Sequence, residues 1–339
     1  MAEKSDQIIK NEFSEIGNIN DLELRIFPVG SREDQKHWIE GGLSFGYNSI
    51  RYGSCDGAWY REEKWHDPLS KKVSLQKPIL AVEGTLALER GSSGNAQYQR
   101  FFHALGAVLS GVIGIYYLRK GKDVLRYDLP KAALNVSEIH GTDYLVVTEL
   151  DDIKELVESM AQNNQARFQK AVARIKSEME KYFQVVFQKR FKGDIENYYR
   201  SRSIIRLPSG INIKYLAGNY RNFTESSQRG GHIVLGEFLM AKYFLRDPFY
   251  FLLPRLLQVE IRKLDDSNKK EWQILRNDKL GKLITLHNLK GISGNLKKDI
   301  LSLKDQPLGG SAEGGRAKKT WNSLMKILEE GFRNGLTRI

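Results

Sequence analysis

The chain has 339 residues, of which 41% are hydrophobic and 28% charged, with only 8 prolines. That composition suits one large or two ordinary globular domains and excludes a disordered or collagen-like chain. A single cysteine, Cys55, excludes an internal disulfide framework and a cysteine-rich zinc site. The formal charge of +12 is uneven. Residues 1–150 hold 18 Lys/Arg against 20 Asp/Glu, a balance of −2, and residues 151–180 add −1. Residues 181–339 hold 30 against 15, or +15, the footprint expected of a phosphate-backbone partner.

The opening MAEKSDQIIKNEF is charged and lacks a signal-peptide core, so a cytoplasmic location is expected. Residues 3–16 suit an amphipathic helix with Ile8, Ile9, Phe13 and Ile16 on one side. Leu22 to Phe27 alternates as a strand, and GGLSFGYNSIRYGSCDGAWY suggests strands broken by glycine. Pro78 to Leu88 opens as a buried strand, Gly91 to Asn95 breaks it, and Ala96 to Leu109 follows as a helix. The window Phe101 to Leu118 is uncharged and close to membrane-spanning length. Its interrupting glycines and its β-branched, aromatic second half favour a buried helix, a turn and a buried strand. Tyr144 to Thr148 is a third buried strand, and Asp151 and Asp152 look like caps on a helical region reaching about Phe191. Strand, helix, strand in succession is the pattern of an α/β core. No internal repeat stands out.

Beyond residue 150 a hairpin is expected around Pro208-Ser209-Gly210, then a polar loop and a helix over Val234 to Leu245. Asp305 to Gly315 reads as a connection before a last basic helix. The domain boundary is placed near residue 150, giving an α/β core over 1–150 and a basic α+β region over 151–339.

The chemistry concentrates between Asp56 and Leu118. Cutting a phosphodiester near neutral pH calls for a divalent metal between carboxylates, to polarise the phosphoryl group and acidify water. Asp56-Gly57 followed by a strand carrying Glu83 could bring two carboxylates to one sheet edge. A charged Glu83 among Ile79, Leu80, Ala81 and Val82 is costly without a partner or a metal. Asp-Gly is also a common hairpin turn, and Glu83 could instead end a strand and pair with Arg90 or Arg100. Glu89, and more weakly Glu12 or Glu15, are reserve ligands.

The succession from Asp56 to Leu118 resembles the PD-(D/E)XK nucleases, specifically type II restriction endonucleases. The resemblance implies a mixed central sheet flanked by helices and Mg2+-dependent cleavage of double-stranded DNA at a short specific sequence. Asp56 and Glu83 would be the metal ligands, with the Gly84 carbonyl as a further one. Thr85 stands where the family usually has lysine, so the water-orienting cation would come from Lys77, Arg90 or Arg100, or the role would fall to Gln97 or Gln99. A palindromic target would imply a homodimer.

Gln97, Gln99 and Arg100, on the helix after the glycine-serine loop, suit phosphate contact or are the polar face of a half-buried helix. Downstream, Arg202, Lys214, Asn219, Arg221, Asn222, Gln228 and Arg229 form a basic, amide-rich span suited to reading bases and holding phosphates. Gly114 to Tyr117 lacks the second strand of a GIY-YIG nuclease, and His287-Asn288 lacks the partners of an HNH site. No Gly-Lys-Ser/Thr phosphate loop is present, so ATP dependence is not expected. The alternatives are a non-catalytic DNA-binding protein and an RNA-processing nuclease.

Overall fold

The computed structural model describes residues 5–26, 44–47, 50–67, 73–86, 95–215, 228–252, 270–284 and 294–302, with isolated positions between Lys304 and Arg333. The chain divides into two compact units, Met1–Val185 and Val186–Ile339.

The first unit is built on a five-stranded mixed sheet. Helix α1 (Ser5–Ile16) leads into β1 (Glu23–Ile26), followed by a separate antiparallel pair, β2 (Ser44–Tyr47) and β3 (Ile50–Ser54). Then come β4 (Gly57–His66), β5 (Val73–Leu86), α2 (Asn95–Leu109), β6 (Ile113–Arg119), α3 (Asp128–His140) and β7 (Tyr144–Val147). The sheet order is β1-β4-β5-β6-β7, antiparallel as far as β5 and parallel from β5 to β7. Helices must bridge the parallel pairs, because a tight turn cannot return a strand in the same direction. The second half of β5, Leu80 to Thr85, is buried without a break, as a central strand covered on both faces should be.

Two close approaches set the layers. Helix α1 lays Ile9 and Phe13, one turn apart and fully buried, against one face of β5. A Cβ at Gly84 would stand 2.4 Å from Ile9 Cγ2, so only glycine lets α1 come this near. Helix α2 covers the opposite face, where a Cβ at Gly114 would stand 2.4 Å from the Ala104 carbonyl. Tyr98 donates to Asp128 Oδ2 at 2.6 Å and Tyr144 to the Phe101 carbonyl at 2.6 Å, so α2 is tied to α3 and β7 by buried bonds.

The uncharged window is thus half of α2, a turn and β6, and no helix among the described residues is long and apolar enough to cross a membrane. The expected single helical region is two helices, α4 (Leu150–Ala161) and α5 (Gln165–Phe191). Glu149 is the N-cap residue of α4, and Asp151 and Asp152 lie in its first turn rather than capping it. The boundary expected near residue 150 moves to 185. The reason is packing: Met179 Sδ accepts from the Val146 amide, Tyr182 donates to the Leu125 carbonyl, and Lys131 pairs with Glu180. Much of α5 therefore belongs to the first unit.

The second unit opens with α6 (Ile195–Ser201) and the hairpin of β8 (Ile204–Arg206) and β9 (Asn212–Tyr215), turning where Pro208-Ser209-Gly210 was expected to turn it. Next are α7 (Gln228–Leu245), β10 (Phe249–Leu252), α8 (Lys270–Asn277), β11 (Gly281–Ile284) and α9 (Gly294–Ser302). The order is β11-β10-β9-β8, with β9, β10 and β11 parallel. Phe238 of α7 packs on Phe249 and Phe251, both with ring centroids at 5.3 Å. Leu296 and Ile300 of α9 join a separate core cluster with Ile213, Leu252 and Ile284.

The two units repeat one plan. An antiparallel hairpin (β4-β5, β8-β9) is followed by two helix-bearing crossovers, each adding a parallel strand beside the last. The repeat is topological and has no counterpart in the residue pattern.

Candidate metal centre on the central strand of the first unit

Asp56 follows β3 and enters the sheet through its backbone, its amide donating to the Val82 carbonyl at 2.9 Å. Its carboxylate turns back and accepts from the Gly84 amide at 2.8 Å. That bond sets Asp56 next to the Glu83–Gly84 peptide although 27 residues separate Asp56 from Gly84. Glu83 and Thr85 lie on the face of β5 covered by α2, and both are buried, at 2% and 3% exposure.

From α2, Arg100 reaches down between these groups. Its Nη1 donates to Glu83 Oε1 at 2.7 Å and to the Gly84 carbonyl at 3.0 Å, and stands 3.8 Å from Asp56 Oδ2. One guanidinium nitrogen thus sits among the three oxygens expected to hold a metal. His103, one turn further along α2, brings Nδ1 to 3.1 Å from Glu83 Oε1. Burial by itself would raise the Glu83 carboxyl, but His103 and then Arg100 outweigh it and hold it below the usual carboxylate range. Burial likewise works against the charge on Arg100, which Glu83 and Asp56 restore and strengthen. Next to Glu83 in register, Tyr116 is fully buried and its hydroxyl has no hydrogen-bond partner among the described residues. Cys55 lies behind the cluster, its thiol pushed up first by burial and then by Glu83 and Asp56.

Two carboxylates and a peptide carbonyl surround the Arg100 Nη1 position, and oxygens of these kinds are the donors a hard divalent cation takes. Among the described residues no group of three or more His, Cys, Asp or Glu side chains is disposed to hold a metal, so any such site would rest on the Gly84 carbonyl.

Asp56, Glu83, Gly84 and Arg100 are therefore brought together, while other candidates are placed elsewhere. Gln97 does not face the pocket's oxygens: its amide donates to the Val124 carbonyl and accepts from the Arg126 amide, bracing the turn before α3. Lys77 pairs with Glu63 at 2.8 Å. Glu12 bonds the Tyr117 hydroxyl and pairs with Arg119, placing it on the other face of the sheet from Glu83. The side chain of Gln99, and Glu89 and Arg90, lie outside the described residues. His103 and Tyr116 were missed. The i, i+3 spacing of Arg100 and His103 was the available signal, readable only once α2 is known to cover Glu83.

In the second unit the expected DNA-contact span is divided. Lys214 and Arg202 are corrected to interior residues, at 2% and 8% exposure. Lys214 Nζ binds Glu237 Oε2 of α7 at 2.9 Å and the Arg202 carbonyl at 2.6 Å, leaving no ammonium for a phosphate. Asn219, Arg221 and Asn222 lie outside the described residues, as do the side chains of Gln228 and Arg229 at the start of α7. Lys214 holds the place in β9 that Glu83 holds in β5, on the second hairpin strand and facing the crossover helix. The charges are exchanged: acid on the strand and base on the helix in the first unit, the reverse in the second.

No family model, no curated protein and no solved structure matches this chain.

Proposed function

We propose that this protein is a Mg2+-dependent endonuclease of restriction-enzyme type, hydrolysing phosphodiester bonds of double-stranded DNA at a short specific sequence. The observation that carries the reading is the convergence of Asp56 Oδ2, Glu83 Oε1 and the Gly84 carbonyl on a single cation position. Asp56, Glu83 and Gly84 would hold the ion, which when bound supplies Lewis acidity toward the phosphoryl oxygen and acidifies water. The mixed sheet, with the site on its central strand and a helix crossing over it, is compatible with the nuclease core that the segment resembles.

The chain's own groups divide the remaining work. Asp56 is oriented by the bond that its Oδ2 accepts from the Gly84 amide. His103 and Arg100 keep Glu83 ionised despite burial, the state a metal ligand needs. Thr85 supplies no cation, and Arg100 is the positive group in reach of a scissile phosphate or its attacking water. Residues 186–339 hold 29 Lys/Arg against 15 Asp/Glu, and that surplus supports a duplex partner for the second unit. Base reading is assigned to Asn219, Arg221, Asn222, Gln228 and Arg229, and a palindromic target would be met by a homodimer.

The test is incubation of the purified protein with plasmid DNA and Mg2+, followed by sequencing of fragment ends. Discrete ends that EDTA abolishes, and that Asp56→Asn and Glu83→Gln both lose while still folding, support the reading. Duplex binding without cutting, unchanged in those variants, would instead make Asp56, Glu83 and Arg100 a structural ion cluster in a non-catalytic DNA-binding protein.

A further inference from the structure

We propose that Arg100 is a resident cation that keeps the Asp56–Glu83–Gly84 pocket filled until a DNA phosphate draws its guanidinium away, so that divalent metal and duplex bind cooperatively. The proposal rests on the nuclease reading above and specifies how its site is loaded.

The geometry supplies the argument. Nη1 of Arg100 lies 2.7 Å from Glu83 Oε1 and 3.0 Å from the Gly84 carbonyl, with Asp56 Oδ2 at 3.8 Å. A metal using these oxygens would need them at about 2.0–2.6 Å, which is space the guanidinium nitrogen takes up. Two carboxylates directed at one position disfavour each other's charge unless a cation stands there, and Arg100 occupies that position in the protein alone, with His103 beside Glu83. Among the described residues, the titratable groups that act on it are Asp56 before β4, Glu83 on β5 and Tyr116 on β6, with His103 of its own helix beside Glu83. The arginine is not sealed in: its side chain is 23% exposed and that of Asp56 17%, against 2% for Glu83. A phosphodiester arriving on the Arg100 and Asp56 side offers a new bidentate partner for the planar fork. Once Arg100 turns outward, the position its Nη1 filled is vacated while His103 stays beside Glu83, and the affinity of these oxygens for a divalent ion rises. Linkage makes the effect reciprocal, so metal must favour DNA by the factor that DNA favours metal.

The experiment titrates Mn2+ by the loss of its free-ion EPR signal, with and without a mixed-sequence DNA duplex, under conditions where gels show the duplex intact. For the unaltered protein, the duplex should tighten Mn2+ binding roughly 5- to 150-fold, the usual size of coupling between sites. Arg100→Met should bind Mn2+ more tightly than the parent without DNA, gain little from DNA, and lose the tight site when Asp56→Asn is added. Arg100→Met takes the guanidinium partner from the buried Glu83 and can fail to fold; the comparison on the unaltered protein and on Arg100→Lys carries the test in that case. Arg100→Lys, which keeps a charge but cannot fork, should show a smaller gain from DNA than the parent. Mn2+ bound through Asp56 with one affinity, whether or not duplex is present and whatever stands at position 100, overturns the resident-cation proposal and leaves the nuclease reading intact. No Mn2+ bound through Asp56 in any variant, with or without duplex, overturns both.

Discussion

At Gly84 a single missing methyl decides whether the site can exist. Its carbonyl is one of the three oxygens around Arg100, its amide holds Asp56, and its α-carbon lies beneath Ile9 and Phe13 of α1. A Cβ there would meet Ile9 Cγ2 at 2.4 Å and Phe13 Cζ at 3.3 Å. Gly84→Ala should therefore cost about 1–3 kcal/mol, the usual range for overpacking a filled core. Urea unfolding checks this, and Ile9→Ala combined with Gly84→Ala should cost less than the two separate effects added together, because truncation removes the clash. Glu83 makes a second residue-scale prediction. Its carboxyl is held below the ordinary value, so its contribution to stability is fully present above the unfolded value of about 4.3 and is lost as pH falls through the folded one. Melting temperature followed downward from neutral pH should drop through that acid window in the parent and drop less steeply in Glu83→Gln. Equal slopes would mean that His103 and Arg100 do not hold Glu83 ionised.

Elements place charges that no single residue could keep inside. Strand β9 and helix α7 bury Lys214 and Glu237 together, at 2.9 Å and nearly without solvent contact. Removing one partner of such a pair strands the other, so Lys214→Met should destabilise the second unit by about 3–5 kcal/mol. Adding Glu237→Leu should recover part of the loss, since the Lys214 site is then apolar on both sides while the buried Arg202 loses the carboxylate that supports its charge. A double-mutant cycle by chemical denaturation measures it, and additive losses would show that the pair is not coupled. The same logic explains why Arg202 and Lys214 were misread as DNA contacts. Written in sequence among tyrosines and asparagines they look like a basic surface loop. The alternation of β9 turns Lys214 toward α7 instead.

At the scale of the whole molecule the repeated plan matters most. Both units carry a hairpin and two crossovers, yet the first has an acid on its central strand where the second has a lysine. The buried Lys214 ammonium at the matching place repels a divalent cation, so each chain carries a single candidate metal centre among the described residues. On the proposed nuclease reading, one chain should then cut one DNA strand. In a supercoiled-plasmid time course at limiting protein, open-circular DNA should accumulate first. Conversion of that circle to linear DNA should depend on protein concentration, because a second chain must supply the second cut. Linear product with no nicked intermediate under those conditions would mean that one chain cuts both strands. The excess of 29 basic over 15 acidic residues beyond position 185 further predicts affinity that falls as salt rises, log K declining linearly with log salt.

Local pattern alone determined much of this protein. Periodic apolar residues marked α1, β5, α2, β6 and β7, because a helix face and a doubly covered strand leave their signatures in neighbouring residues. The misfit of a carboxylate within PILAVEGT singled out Glu83, and the Asp-Gly step before a strand singled out Asp56. Tertiary structure decided what those signals meant. Only the β4–β5 register and the Asp56–Gly84 bond bring the two acids together, and only the crossing of α2 lowers Arg100 and His103 onto Glu83. Helix α3, the assignment of α5 to the first unit and the burial of Lys214 were equally undetermined by local pattern, since each depends on which distant surface arrives to cover a residue. The duplicated topology was beyond reach for the same reason: strand order is a property of long-range hydrogen bonds, and two sequences can share it while exchanging the signs of a strand–helix ion pair at its centre.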